Sequence, residues 1–182
     1  MVKGLDTFQK YFADYEEQYV LIGGAACDIL FESNEVNFRA TRDLDMVLIV
    51  EALTPEFGEK FWEFIVDGKY RNKATNGSNP QFYRFDKPED DEFPKMIELF
   101  CRSDFKLKNA KGITPIHIDD EVSSLSAILL NDDYYKALLN GKEVRNGLSV
   151  LRPEYIILFK AKAYLDLQKR KDSGEKLDSS DI

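Results

Sequence analysis

Apolar residues recur at two spacings along this chain, and the switches between them lay out its elements. Leu5, Phe8, Phe12 and Tyr15 fall every three or four residues with polar residues between them. That spacing predicts an amphipathic helix over residues 5 to 17, with an aromatic stripe turned toward the core. Tyr19 to Ile22 is a short β-prone run that stops at Gly23-Gly24, and good helix formers follow from Ala25 to Phe31. After a polar, irregular stretch from Asn34 to Arg42, the segment Asp43 to Val50 contains the run Met46 to Val50, which suits a strand buried on both faces. Pro55 then opens a helix expected to reach about Val66.

The stretch from Lys69 to Asn79 is rich in Asn, Gly and Lys and is expected to be a loop or hairpin connection, leading into a short strand at Gln81 to Phe85. Clear strand patterns follow at Lys95 to Cys101 and Ile113 to Ile118. A helix is expected from Asp132 to Leu139, ended by Asn140-Gly141. Asn146-Gly147, between Val144 and Leu148, signals a tight hairpin, because both residues tolerate the positive φ of a type I′ turn. Pro153 starts the longest helix, to about Arg170. The order of elements predicts an α+β fold, a mixed β-sheet flanked by helices with a C-terminal helical extension.

Length and composition narrow the class. The 182 residues fit one domain, with a core at about 19 to 101 and a helical part at about 153 to 182. A content of 43% hydrophobic, 13% aromatic and 32% charged residues excludes an intrinsically disordered chain. The formal charge of −8 argues against a broad nucleic-acid surface, which needs clustered Lys and Arg. Local runs, the basic Lys169-Arg170-Lys171 and the acidic Glu89 to Glu92, read as solvated surface. No apolar run reaches the roughly 18 residues that span a bilayer, and Met1 to Lys10 do not resemble a secretory signal, so a cytoplasmic location without a membrane partner is expected. Cys27 and Cys101 lie inside apolar segments and read as buried free thiols.

Candidate chemistry centres on three carboxylates. Asp43 and Asp45 stand two apart at the start of a strand, so alternation puts both on one face while Leu44 points the other way. Two such carboxylates make a hard-oxygen site suited to Mg²⁺. Other acidic pairs, such as Asp90 and Glu92, lie in charged stretches, whereas this one runs directly into an apolar strand. Glu98 stands in Met96-Ile97-Glu98-Leu99-Phe100-Cys101 with apolar neighbours, where a carboxylate is costly unless it is paired or holds a metal. Two readings stay open: a third metal ligand, or an edge strand with Glu98 facing water. Gly23-Gly24 between strand and helix would let the backbone approach a phosphate near the helix N–H groups, or is simply a tight turn. Together these parts fit two-metal phosphoryl transfer. The chain has no Walker-type loop, and His117, its one histidine, alternates with Ile116 and Ile118 and reads as structural.

At these residues the chain resembles the nucleotidyltransferase superfamily of DNA polymerase β-like fold, whose pattern is a glycine turn, a helix, Asp-x-Asp on the next strand and a third carboxylate later. Here those are Gly23-Gly24, Asp43-Leu44-Asp45 and Glu98. More narrowly, Leu21-Ile22-Gly23-Gly24-Ala25-Ala26 followed by Arg39-Ala40-Thr41-Arg42-Asp43-Leu44-Asp45 is similar to the AbiEii-like nucleotidyltransferases, toxin halves of type IV toxin–antitoxin pairs. The likeness covers residues 19 to 101 well and 153 to 182 loosely. It implies catalytic, metal-holding roles for Asp43, Asp45 and Glu98, with Mg²⁺ as cofactor. Nucleotide contacts are implied at Gly23, Gly24, Thr41 and a lysine of the last helix, with an Asp beyond it that Asp181 would match. It further implies an NTP donor, an RNA, protein or small-molecule acceptor, and an antitoxin partner. Many members have Ser where this chain has Gly24, which leaves phosphate contacts to the backbone.

Lys160 and Lys162 lie about 200° apart on a helix and cannot share one site. Lys160, among Ile157, Leu158 and Phe159, is the better candidate for phosphate charge, with a snorkelling lysine as the alternative. An active enzyme and a noncatalytic binding or antitoxin-type protein of the same fold are both compatible with the sequence; the presence of all three carboxylates favours the enzyme.

Overall fold

The computed structural model describes residues 2–31, 43–72, 84–101, 105–109, 112–116 and 131–172. Their elements run α1 (Leu5–Phe12), β1 (Tyr19–Ile22), α2 (Gly23–Phe31), β2 (Asp43–Leu48), α3 (Pro55–Asp67), β3 (Arg71–Asn72), β4 (Arg84–Asp86) and β5 (Met96–Phe100). They continue with β6 (Phe105–Asn109), β7 (Gly112–Ile116), α4 (Asp132–Gly141), β8 (Lys142–Arg145), β9 (Leu148–Leu151) and α5 (Pro153–Asp172). The class is α+β. Seven strands form a mixed sheet in the order β3-β4-β5-β2-β1-β9-β8, and β6 and β7 pair as a separate antiparallel hairpin. Within the sheet β2 runs parallel to β5 and β1 parallel to β9; the other neighbours are antiparallel.

Local chemistry sets the boundaries. Thr54 caps α3, its Oγ1 accepting the Phe57 N–H at 3.3 Å with Pro55 behind it, and Asn131 caps α4 by accepting from the N–H groups of Asp133 and Tyr134. The β8–β9 hairpin turns at Asn146 (φ 51°) and Gly147 (φ 69°), the two positive φ values that its sequence foretold. The first helix ends at Phe12 and not at residue 17. Turn hydrogen bonds from the Tyr15 N–H to Phe12 and from the Gln18 N–H to Tyr15 carry the chain into β1, while the Tyr15 ring still packs on Phe12 and Phe57. Aromatic spacing thus outlasts the helical backbone. Two elements were not foreseen: β3, inside the expected loop, and β6, the partner of β7.

The two faces of the sheet differ. Tyr19 meets the rings of Phe8 and Phe12, and Phe85 meets Phe61 and Trp62, so the face that carries them lies against α1 and α3. Register places Leu21, Leu44, Met46, Leu48, Ile97 and Leu99 on that same face, all buried, in one core that extends to Ile156 and Phe159 of α5. Phe12 alone contacts Phe8, Tyr11, Tyr15, Tyr19, Phe57, Phe61 and Phe64. The opposite face takes α2, which also touches α5. No helix among the described residues is long and apolar enough to cross a membrane.

Candidate active site

Register assembles the polar residues of the second face. The parallel pairing of β2 with β5 sets Asp45 beside Glu98 and Asp43 beside Met96. On the far side of β5 the antiparallel β4 sets Arg84 beside Glu98, and on the near side β1 sets Ile22 beside Asp45. Directly paired residues share a face, so one row across four strands reads Ile22, Asp45, Glu98, Arg84, with Asp43 one pleat along from Asp45. Glu98 therefore sits on an interior strand, not an edge, and its side chain is 15% exposed. The water-facing alternative is ruled out.

The glycine pair closes one side of this row. Gly23 opens α2 with φ 66°, a value that L side chains rarely adopt, and a Cβ placed there would lie 2.3 Å from Asp45 Oδ2. The absence of a side chain at 23 is what lets the helix start so close to the carboxylate. Gly23 and Gly24 were expected to form a turn ahead of the helix; they are instead its first residues, and Gly23 lies against the Asp45 carboxylate.

Burial first, then the neighbouring charges of Glu98 and Asp43, push the Asp45 carboxyl up to about 7, against the opposing pull of Lys160 and Arg84. Lys160, exposed on α5, also acts on the Cys27 thiol one turn into α2, where burial raises the thiol's pKa. Of the two lysines, Lys160 thus stands on the carboxylate side of its helix, and Lys162 is half-buried. Cys27 and Cys101 are buried free thiols, as expected.

Arg84 is the residue of this row that sequence reasoning missed. Its guanidinium is ion-paired with Glu98 Oε1, although neither that oxygen nor Arg84 Nε completes a well-directed hydrogen bond, so the contact is chiefly one of opposite charges in proximity. A signal was there to use: Arg84 stands beside Phe85 in an expected strand, a cation as out of place among apolar neighbours as Glu98 is. Among the described residues no three carboxylate, thiol or imidazole groups stand close enough to make a ready-built coordination shell. The donor chemistry nevertheless fits a hard divalent cation, since three carboxylates share one face, where burial first and then their mutual repulsion raise the Asp45 carboxyl to about 7. Thr41, His117 and Asp181 lie outside the described residues.

Comparison with models of protein families, with curated proteins and with solved structures finds no match to this chain.

Proposed function

We propose that this protein is a Mg²⁺-dependent nucleotidyltransferase, moving an NMP group from an NTP to a hydroxyl of an RNA, a protein or a small molecule. The observation that carries the reading is the in-register placement of Asp45 beside Glu98, with Asp43 on the same strand face and Gly23 against the Asp45 carboxylate. The likeness of Gly23-Gly24, Asp43-Leu44-Asp45 and Glu98 to the nucleotidyltransferase pattern supports it. Asp43, Asp45 and Glu98 would hold the metal; bound there, it supplies charge neutralisation for the triphosphate and activation of the acceptor hydroxyl. The N–H groups at the start of α2 would receive phosphate oxygens, with no side chain at Gly23 or Gly24 to hold the ligand away. Lys160 would balance the remaining phosphate charge from α5. A toxin role with an antitoxin partner rests on the resemblance alone.

One observation favours a second reading, a noncatalytic protein of this fold: the Arg84 guanidinium already neutralises Glu98, and a protein with no need of metal would keep that pair. Calorimetric titration of each of the four NTPs, with and without Mg²⁺, separates the two. Metal-dependent binding that is lost in the Asp43→Asn, Asp45→Asn double variant is expected and identifies the donor nucleotide. Nucleotide binding indifferent to Mg²⁺, or absent altogether, selects the noncatalytic protein.

A further inference from the structure

Helix α5 is apolar on two sides. Ile156 and Phe159 are buried in the core, and Ala163 packs partly against it. On the other side Ile157, Leu158, Tyr164 and Leu165 are 65%, 52%, 62% and 56% exposed, and they are four of the seven large hydrophobic side chains left exposed among the described residues. At about 100° per residue these four, with Ala161 and Gln168, fill an arc about 120° wide. A concentrated stripe of this kind differs from the singly scattered surface hydrophobics of an ordinary monomer.

The arc is symmetric about Ala161. Leu158 and Tyr164 stand three residues to either side of it, Ile157 and Leu165 four, and the polar Glu154 and Gln168 seven. A two-fold axis at Ala161 would therefore set apolar positions on apolar positions, because each residue that meets a different residue is met by it in return. With the axis at Ala161 and the helices antiparallel, Ile157 of each copy meets Leu165 of the other, and Leu158 meets Tyr164. The small Ala161 lets the backbones approach. Charge agrees with this orientation: Glu154 of one copy, which also pairs with Arg152 of its own chain, comes toward Lys169 and Lys171, both exposed, at the end of the other copy's helix, and the helix dipoles oppose. A parallel pairing would set Lys169 and Lys171 against their own copies. The stripe itself is uncharged from Ile157 to Gln168 along the arc, so two chains of charge −8 meet where neither carries charge. We propose that α5 is the seam of an antiparallel two-fold homodimer centred on Ala161.

Disulfide trapping reads the axis directly. Under mild oxidation Ala161→Cys is expected to form a covalent dimer readily, because residue 161 meets itself, while Gln168→Cys, which meets Glu154, stays monomeric; Cys27 and Cys101 are buried and add little background. Sedimentation velocity from about 1 to about 200 µM should take the wild type toward twice the monomer mass. Ile157→Lys and Leu165→Glu should each weaken the dimer by more than about tenfold, and mixing the two variants should restore it, since one seam contact becomes an ion pair and the other stays native. A monomer at every concentration, with Ala161→Cys cross-linking no better than Gln168→Cys, overturns the proposal. So does a loss of thermal stability in monomeric Ile157→Lys as large as a core substitution causes, which would mean that the chain itself covers this face. Dimers not rescued by mixing would refute the antiparallel register.

Discussion

At Asp45, burial and two neighbouring carboxylates act in the same direction, and a dependence of stability on pH follows. The carboxyl is raised from 3.8 to about 7 by folding, so between those values the folded chain keeps a proton that the unfolded chain has lost. Stability from this group is fully present below about pH 4, falls as pH rises and is gone above about 7, a change on the order of a few kcal/mol. Asn at this position has no charge to bury. The Asp45→Asn variant is therefore expected to unfold at a higher temperature than wild type at pH 7.5 in the absence of divalent metal, and to converge with it near pH 4. Calorimetry across that range decides it; a variant less stable at every pH would mean that the Asp45 charge is needed by the fold. The Arg84–Glu98 pair makes the opposite case. Arg84→Met leaves the Glu98 carboxylate, 15% exposed, without its counter-charge and should cost about 1–3 kcal/mol, less than a fully buried pair would, because Arg84 is 34% exposed. Adding Glu98→Gln should recover much of that loss, and a double-mutant cycle in urea that shows simple additivity would deny the coupling.

Whole elements were legible wherever the chain carries its own local instruction. Pro55 starts α3, Asn146-Gly147 turns the β8–β9 hairpin, and the Met46 to Val50 run marks an interior strand, which ends at Leu48 and not at Val50, each through backbone or burial chemistry that a few adjacent residues determine. The carboxylates were legible for the same reason, since alternation fixes Asp43 and Asp45 on one face and Glu98 stands out among apolar neighbours. What stayed hidden depends on register between distant strands. That Arg84 lies beside Glu98 follows from the β4–β5 pairing, and a two-residue strand such as β3 has too little sequence to show a period. The aromatic layer shows how elements bind together once they have formed. Phe12 joins α1 to both β1 and α3 through its ring contacts and is wholly buried, so Phe12→Ala should cost about 3–5 kcal/mol in urea unfolding. Val66→Ala on α3, at a position 68% exposed, should change stability by less than about 0.5 kcal/mol. A comparable loss at both positions would mean that the helices do not hold the sheet through this layer.

For the molecule as a whole, the proposed function makes proton and cation rivals for one set of carboxylates. A metal that needs Asp43, Asp45 and Glu98 ionised can bind only as the Asp45 proton leaves, and what it contributes to stability is set by mass action on the folded state. The stabilisation given by Mg²⁺ should accordingly grow with pH. At about pH 5.5, where the folded chain keeps most of the proton, a millimolar addition should move the unfolding temperature little; at about pH 8, where burial and repulsion strain the ionised site, the same addition should raise it by several degrees. An NTP added with the metal should extend the shift at the higher pH, through the phosphate oxygens that share the cation. The Asp43→Asn, Asp45→Asn variant separates this linkage from nonspecific binding to a chain of charge −8, because it removes the competing proton and the ligands together and should respond equally and weakly at both pH values. An equal shift in wild type at pH 5.5 and 8, or a shift that survives in the variant, would place the cation elsewhere on the acidic surface. It would also leave the raised Asp45 carboxyl as a cost of the fold with no metal to offset it.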